Sequence, residues 1–419
     1  MNITHIIGNG FDINQGIPTS YAHFYEYYLQ LVPEANEPEI VSQFRINMYN
    51  DLLENKSELW SDMELALGAV TKNYNSASDY EAVYMDVYRH LMVYIDYAYK
   101  HSSVSQFANP SQTLYLDLTK PWLHLVKSDI EAVEKTFKRI TDNHVKILSF
   151  NYTDTFNRLS DIGMKSNAIL GMDAHTTYRF DGCTQIHHAI SSKDIILGVD
   201  NPSQIANSEL ANEEIVRNLL VKPQTNQGLG TLVDRDSRDA IAKSDIISIY
   251  GVSLGATDKS WWEEIGKRIK TNLDVIILFF PFVKEIDQVA EIQKPTLRSN
   301  YKKKLMDAIG IDKSNYKNYE KRIYVNFCNN PGLRNIFANP KRASLNDNFE
   351  NVMAQFQKEG KIYKPKPEVH SPLSIDTYLL HPKTLFEPRV YQERNLLLDM
   401  TKNPLSEGYL ANKHLKVEN

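Results

Sequence analysis

Short runs of apolar, mostly β-branched residues recur along this chain and restrict what it can fold into. Each run is about five to seven residues long and shows little alternation between apolar and polar side chains. Strands that are buried on both faces of a parallel sheet have this pattern, because helices cover both faces of such a sheet. The runs read ITHII, HVKILSF, DIILGV, DIISIYG, DVIILFF and RIYVNFC.

Helical patterns lie between several of these runs. The segment DYEAVYMDVYRHLMVYIDYAYKH repeats apolar and tyrosine positions every three to four residues, which predicts an amphipathic helix whose tyrosines serve packing. A second helical pattern, ATDKSWWEEIGKRIK, directly precedes DVIILFF. Strand, helix and strand in alternation predict an α/β fold with a Rossmann-like, doubly wound parallel sheet.

The runs are unevenly spaced, and the spacing predicts the domain organisation. We expect residues 1–34 and 144–328 to form the sheet domain. The intervening residues 35–143 look almost wholly helical, so we interpret them as a helical insertion. Residues 329–419 are rich in Pro, Asn and Lys, and this C-terminal extension is expected to wrap the domain or to dock on a partner.

Composition excludes several classes of protein. The net charge of −5 argues against a general nucleic-acid binder. No signal peptide is expected, because no basic region precedes the short first apolar run, and no stretch approaches the roughly 18 apolar residues that cross a bilayer. The isolated Cys183 and Cys328 suit a reducing cytoplasm and cannot build a four-cysteine zinc site. We therefore expect a soluble, cytoplasmic protein that holds no metal.

The first apolar run leads into the turn GNGFDINQGIP. A glycine-containing turn between a strand and a helix lets backbone N–H groups approach a phosphate, and the helix N-terminus adds positive potential. The usual dinucleotide-binding fingerprint is incomplete, because Ile13 stands where its third glycine belongs and no acidic residue follows at the expected distance. A G-x-G pair alone is a weak signal, since it also occurs in any tight strand-to-helix turn.

The second half of this turn makes the pattern more specific. Gly8, Gly10, Gly16, Ile17 and Pro18 have the spacing of the GAG-I-S-x-x-x-GIP element of the sirtuins, whose loop holds the pyrophosphate and ribose of NAD. Three later segments resemble sirtuin landmarks in the same order. SFNYTDT resembles the T-x-N-x-D loop, QIHHA the catalytic HG element, and IYGVSLGATD the GTSL strand end beside the adenosine.

A closer resemblance extends over about residues 1–280. The segments IIGNGFDINQGIPTSYAHF, LWSDMELAL, LSFNYTDTF, QIH, ILGVDN and YGVSLGATDKSWW resemble the AbiH family of bacterial abortive-infection proteins, which are implicated in defence against bacteriophage. The sirtuin-like pattern inside them implies an NAD-binding fold, and related defence proteins consume NAD to starve an infected cell. The resemblance implies an NAD glycohydrolase. Because such an enzyme would be toxic if unregulated, we expect oligomerisation or a phage component to gate it. A second copy of the chain or a defence-system partner would bind through the helical insertion or the C-terminal extension.

The chain departs from the sirtuin pattern in three places. Asp12 replaces the serine of GAGIS, and since a pyrophosphate would repel its carboxylate, Asp12 is expected to accept ribose hydroxyls or to cap the following helix. His188 replaces the glycine of HG, and the alignment favours His187 as the acting residue. The zinc-binding cysteines of deacetylating sirtuins are absent, which argues against protein deacetylation.

The resemblance implies specific residues for the site. It places the nicotinamide ribose near Asn151 and His187, which we predict to be the catalytic pair. Asn151 can fix a ribose hydroxyl or the attacking water, and His187 can act as the general base. The expected NAD contacts are Gly8, Asn9, Gly10, Phe11, Asp12, Ile17, Pro18, Thr153, Gly251, Ser253 and Asp258.

Structural roles are open for several of these residues. Asn151 follows a strand, where asparagine often only caps a turn. A single histidine such as His187 is usually structural. Ser253 and Asp258 either contact the adenosine or a ribose, or the ATD segment is only the N-cap of the next helix. Glu64 could approach the site, but we prefer a surface or capping role for it.

Two other functions are open. The chain could be a sensor that binds NAD or an ADP-ribose-type nucleotide without cleaving it. It could also be a nucleotide hydrolase or nuclease of a defence system, which would require a metal-binding acidic cluster. No convincing D-x-D or H-x-H arrangement supports that second alternative.

Overall fold

A computed structural model describes most of the chain, which divides into two units. The described residues are 1–53, 57–104, 110–136, 142–160, 168–173, 176–283, 285–329, 335–339 and 343–363. Unit 1 consists of Met1–Thr19 and Glu64–Val352, and unit 2 consists of Ser20–Met63 and Met353–Asn419. The predicted domain boundaries stay a prediction, and residues 364–419 of the predicted C-terminal extension lie outside the described residues.

Unit 1 contains a seven-stranded sheet in the order β3-β4-β2-β1-β5-β6-β7. Its strands are β1 (Asn2–Ile7), β2 (Asp142–Ser149), β3 (Ala168–Asp173), β4 (Thr176–Gln185), β5 (Ile246–Tyr250), β6 (Ile276–Phe280) and β7 (Ile323–Val325). All neighbouring strands are parallel except β3 and β4. The predicted α/β class and its mostly parallel sheet are therefore confirmed.

The apolar runs located most of these strands. ITHII, HVKILSF, DIISIYG, DVIILFF and RIYVNFC are confirmed as β1, β2, β5, β6 and β7. The predicted strand DIILGV is wrong, because Val199 makes only an isolated bridge to Val221. The backbone of this segment pairs outside the sheet, with Leu220 and Lys222, while its apolar side chains are still buried. β3 and β4 were not predicted from the sequence, and the burial of β4 alternates along the strand.

Helices connect the strands and form the rest of both units. They are α1 (Gly10–Asn14), α2 (Tyr21–Tyr28), α3 (Glu39–Leu53), α4 (Ser57–Trp60), α5 (Met63–Val70), α6 (Ala77–His101), α7 (Pro110–Thr119), α8 (Lys127–Thr136), α9 (Thr155–Ser160), α10 (Glu214–Leu220), α11 (Lys222–Gly228), α12 (Val233–Lys243), α13 (Lys259–Thr271), α14 (Lys294–Ala308), α15 (Tyr316–Tyr319) and α16 (Leu345–Lys358). The two helices predicted from periodicity are confirmed as α6 and α13. Among the described residues, no helix is long and apolar enough to cross a membrane.

Apolar side chains cover both faces of the sheet in unit 1. On one face, Ile6 belongs to a core cluster with Trp262 of α13 and Leu305 of α14. On the other face, Ile3 belongs to a cluster with Leu114 of α7 and Val133 of α8. Because successive residues of a strand point to opposite faces, both faces of β1 are buried. This explains why the central strand β1 is rich in apolar residues.

Unit 2 has a small aromatic core of its own. The rings of Tyr27 and Phe356 lie 4.3 Å apart, and Trp60 packs edge-on against Tyr25 and Phe44. Aromatic pairs of this kind contribute about 0.5–1.5 kcal/mol beyond their buried area. Backbone hydrogen bonds also join residues 30–32 to residues 361–363.

Candidate functional site

The loops that follow four parallel strands lie at one edge of the sheet in unit 1. Parallel strands end at the same edge, so the segments after β1, β2, β4 and β5 meet there. They are residues 8–18, 150–154, 186–189 and 251–258. The predicted site residues lie in these loops, with Thr153 in the loop that links β2 to α9. The fold therefore brings the predicted segments together.

The glycines of the first turn permit a close approach between two backbones. A β-carbon at Gly10 would lie 2.6 Å from the Gly251 Cα, and one at Gly8 would lie 2.9 Å from the Gly251 carbonyl oxygen. Gly251 itself has a φ of 61°, which favours glycine. The N–H groups of Gly8, Gly10 and Phe11 donate to the carbonyl oxygens of Tyr250, Gly251 and Gly8. These donors are used within the protein, so a bound phosphate would need others.

Buried side chains support the first turn. Phe11 and Ile17 are fully buried, and the Phe11 ring lies 5.6 Å from the ring of Phe337. The Tyr94 hydroxyl donates to the Pro18 carbonyl oxygen at 2.7 Å, so α6 holds the end of the turn. Phe337 belongs to the C-terminal extension, which was predicted either to wrap the domain or to dock on a partner. Because Phe337 packs inside unit 1, wrapping is favoured for the part of the extension around it.

Asn9 and Gly16 are held by further polar contacts. The Thr19 hydroxyl donates to Asn9 Oδ1 at 2.5 Å, and Asn9 Nδ2 donates to the Thr19 carbonyl oxygen at 3.2 Å. Asn348 Nδ2 donates to the Gly16 carbonyl oxygen at 2.7 Å. Together with the buried side chains, these bonds fix both ends of the first turn.

A polar cluster forms around Asp12, and we call Asp12, Asn151, Thr153 and Thr155 the Asp12 cluster. The fully buried Asp12 carboxylate accepts hydrogen bonds from Asn151 Nδ2 at 3.3 Å and from Thr153 Oγ1 at 2.6 Å. Burial raises the pKa of Asp12 to about 6, although the hydrogen bonds from Thr153, Thr155 and Asn151 act in the opposite direction.

One acceptor of this cluster has no partner. Asn151 Oδ1 is buried and accepts no hydrogen bond from any described residue. A buried polar atom without a partner costs about 1–3 kcal/mol, so such atoms are normally satisfied by ordered water or by a ligand. A ligand hydroxyl or an ordered water could donate to this oxygen.

His187 belongs to a second cluster, and we call Glu64, Tyr152, His187, Lys222 and Asp258 the His187 cluster. His187 Nε2 donates to Asp258 Oδ1 at 3.1 Å. Its ring packs edge-on against Phe150 at 5.2 Å and lies 6.2 Å from the ring of Tyr152. Asp258 occupies the N-cap position of α13, but its side chain makes no capping hydrogen bond. The carboxylate instead orients His187.

Lys222 joins two carboxylates in the His187 cluster. Its Nζ donates to Glu64 Oε2 and to Asp258 Oδ1, both at 2.8 Å. Glu64 Oε1 accepts a hydrogen bond from the Tyr152 hydroxyl at 2.9 Å. The preferred surface or capping role of Glu64 is therefore wrong, because its side chain is only 6% exposed and is fully engaged.

The electrostatic environment favours the charged forms of Lys222 and Asp258. Burial by itself lowers the pKa of Lys222, but Asp258 and Glu64 outweigh that effect and raise it. Burial likewise acts to raise the pKa of Asp258, while Lys222 and His187 lower it well below its usual range. Asp258 is therefore an ionised acceptor.

The two clusters lie on either side of the loop after β2. Asn151 and Thr153 contact Asp12, whereas Phe150 and Tyr152 contact His187. Among the described residues, no hydrogen bond or ring contact joins Asn151 directly to His187. The predicted catalytic pair is thus close in the fold but divided between adjacent clusters.

The remaining predicted positions differ in their surroundings. Ser253 is exposed after β5. His188 has a φ of 57° and its Nδ1 lies 3.1 Å from Asp194 Oδ1. A left-handed backbone of this kind favours glycine, but here a histidine adopts it. Within the described part of the chain, no group of three or more His, Cys, Asp or Glu side chains could hold a metal ion.

Lys222, Thr155 and the polar role of Tyr152 were not predicted from the sequence. Lys222 follows the apolar residues LLV and precedes a proline, and a lysine at the end of such a run was a usable signal for a buried charge. Thr155 and Tyr152 lie in the motif SFNYTDT but carried no separate signal.

Comparison with known proteins identifies the family. Residues 4–280 match the family described as Bacteriophage abortive infection AbiH. A search of curated proteins found no match. The matched region contains both clusters, most of β1 and the strands β2–β6 that position them, and this chain belongs to the AbiH family.

Proposed function

We propose that this abortive-infection protein binds NAD at the carboxyl edge of its sheet and hydrolyses the nicotinamide–ribose bond. Membership of the AbiH family supplies the role in bacteriophage abortive infection. The observation that carries the proposal is the unpartnered, buried Asn151 Oδ1 beside the Asp12 carboxylate. This pair of acceptors suits two hydroxyl donors on neighbouring carbons, which a ribose presents.

The order of the strands supports a dinucleotide ligand. Without the antiparallel β3, the six parallel strands numbered by their appearance in the chain follow the order 3-2-1-4-5-6. Doubly wound dinucleotide-binding sheets share this order, and their ligands bind outside the carboxyl ends of the strands where the order reverses. Here the reversal lies between β1 and β5. A sirtuin-like NAD-binding domain is consistent with this arrangement.

The charges suggest how the ligand would lie. The Asp12 carboxylate would repel a pyrophosphate, so a ribose hydroxyl belongs next to it. The N–H groups of Gly8, Gly10 and Phe11 are already engaged, so they are not expected to bind the pyrophosphate in the conformation described. The nicotinamide ribose would therefore lie over the Asp12 cluster and extend toward His187.

The reaction would divide between the two clusters. The bond between C1′ and the nicotinamide nitrogen breaks, and its electron pair leaves on the neutral nicotinamide. A water oxygen then bonds to C1′, and the proton of that water passes to His187. Because His187 Nε2 already donates a hydrogen bond to Asp258, Nδ1 is the nitrogen that accepts this proton. General base catalysis of this kind contributes about 10²–10⁴-fold to a rate.

Variants of the predicted pair test the assignment. We expect His187→Ala and Asn151→Ala to release nicotinamide from NAD at least 100-fold more slowly than the natural protein. His188→Asn is the matched control, because asparagine tolerates its left-handed backbone, and it should retain activity. Natural rates in both alanine variants would refute the catalytic roles. A melting shift with NAD but no nicotinamide release would instead identify a non-cleaving sensor.

An enzyme that consumes NAD would harm its own cell without control. We propose that oligomerisation or a defence partner gates the activity through the helical insertion or the C-terminal extension. Size-exclusion chromatography with and without lysate of infected cells should show a change in assembly state. A monomer that is active under both conditions would contradict gating.

A further inference from the structure

A continuous path of buried polar contacts runs from Glu64 to the imidazole of His187. Lys222 Nζ bridges Glu64 Oε2 and Asp258 Oδ1 at 2.8 Å each, and the same Asp258 oxygen accepts from His187 Nε2 at 3.1 Å. The side chains of Glu64, Lys222 and His187 are at most 6% exposed, and that of Asp258 is 16% exposed. Three separate elements supply the other residues of this path. Glu64 lies in α5, Lys222 begins α11, and Asp258 is at the N-cap of α13.

Hydrogen bonds also fix the backbone around this path. Glu64 Oε1 accepts from the Gly198 N–H at 3.2 Å, which fastens the segment that follows His187. The Ile196 N–H donates to the His187 carbonyl oxygen at 2.8 Å. Glu64 therefore anchors Lys222 and the histidine-bearing segment together. This limits rotation of the imidazole relative to Asp258.

The charges around His187 set which of its nitrogens carries a proton. Asp258, Lys222 and Asp234 are the charged groups that act on or near the ring, and Tyr152 packs on it. An ionised carboxylate can only accept, so Nε2 must be the donor in the contact with Asp258. A neutral imidazole with its proton on Nε2 has a free lone pair on Nδ1. No described residue donates a hydrogen bond to that nitrogen.

We propose that Glu64, Lys222 and Asp258 are positioning residues that keep a proton on His187 Nε2 and direct Nδ1 toward the attacking water. The water-directed part rests on the proposed function, whereas the tautomer does not. Asp258 then acts through His187 and does not bind the adenosine ribose. A positioning role predicts a loss of kcat with little change in KM, while a ribose-binding role predicts a rise in KM.

The test uses the full-length chain labelled with ¹⁵N-histidine, with His187→Gln to assign its signals. The ¹⁵N chemical shifts report which ring nitrogen carries the proton. We expect a neutral His187 to be protonated on Nε2 alone and Asp258→Asn to place a measurable fraction of the proton on Nδ1. Asp194→Asn, which changes the partner of the neighbouring His188, is the matched control and should leave His187 unchanged.

The same proteins are assayed for nicotinamide release. Asp258→Asn should lower kcat by about 10²–10⁴-fold with little change in KM, while Asp194→Asn should match the natural protein. If His187 of the natural protein carries its proton on Nδ1, the inference is overturned whatever the variants show. An unchanged tautomer in Asp258→Asn, or a raised KM with natural kcat, would also overturn it. Absence of nicotinamide release with the expected tautomer would refute the proposed function and leave the positioning intact.

Discussion

Gly10 and Gly251 lie so close together that a β-carbon on Gly10 would be 2.6 Å from the Gly251 Cα. This contact joins the loops after β1 and β5, and no flexible side chain can move to relieve a clash. We expect Gly10→Ala to destabilise unit 1 by about 1–3 kcal/mol, as overpacking does elsewhere. Urea unfolding monitored by tryptophan fluorescence would measure the effect.

Gly228 provides the control for that substitution. It lies at the end of α11, and a β-carbon there would meet nothing within 4 Å. Gly228→Ala should therefore be neutral, or stabilising by up to about 1 kcal/mol, because alanine favours a helix. Equal losses in both variants would show that the close approach of the two loops is not what requires Gly10.

Removal of the Lys222 ammonium should leave two carboxylates without their shared partner. We expect Lys222→Met to lower the free energy of unfolding by about 3–5 kcal/mol, since breaking a buried ion pair leaves an uncompensated charge. Lys259→Met is matched in chemistry but changes a side chain that is 63% exposed, so it should cost less than about 1 kcal/mol. If both variants melt at the natural temperature, the buried pairing is not present in solution.

The buried carboxyl of Asp12 should make stability depend on pH. Its pKa is raised by burial from an ordinary 3.8 to about 6 in the folded chain, so the folded state holds the proton more tightly. The free energy of unfolding therefore falls as pH rises from about 4 to 6, because ionisation of Asp12 costs more in the folded chain than in the unfolded chain. The full loss of stability is present at pH 7. Asp12→Asn cannot titrate, so its stability relative to the natural protein should rise by on the order of 2–3 kcal/mol over this range. Parallel unfolding curves at pH 4.5 and 7.5 measure it, and a constant difference would contradict the prediction.

Phe337 ties the chain after β7 to the first turn. Its ring is fully buried against Phe11, Phe156 and Tyr250, and its N–H donates to Asp117 Oδ2 at 3.0 Å. Phe337→Ala should destabilise unit 1 by about 3–5 kcal/mol, because a large cavity would open beneath the turn. Phe337→Leu fills most of that space and should cost clearly less. Hydrogen exchange at residues 8–18 should accelerate in the alanine variant, and unchanged exchange would show that Phe337 does not support the turn.

The strands were predictable where burial on both faces makes the sequence mostly apolar. β1, β5 and β6 are of this kind. The burial of β4 alternates between buried and partly exposed residues, so its sequence lacks the continuous apolar run that marked the others. DIILGV has the composition of a strand, but Gly198 is so close to Leu220 that a β-carbon would lie 2.0 Å from its carbonyl oxygen. That tertiary contact directs the segment away from the sheet.

The candidate site was predictable only in part for a related reason. Motifs located Asp12, Asn151 and His187 at strand ends, because they are local in sequence. The bridge through Lys222 joins residues separated by 158 and 36 positions, and no local pattern specifies such a pairing. The division of Asn151 and His187 between two clusters likewise depends on how the loop after β2 passes between them.

Incubation of the purified chain with NAD, followed by mass spectrometry, tests the central claim most directly. The account predicts that NAD is converted to equal amounts of nicotinamide and ADP-ribose, and that Asn151→Ala slows this conversion by at least about 100-fold. Recovery of all the NAD intact from the folded natural protein, both alone and after addition of dialysed lysate of infected cells, would contradict it.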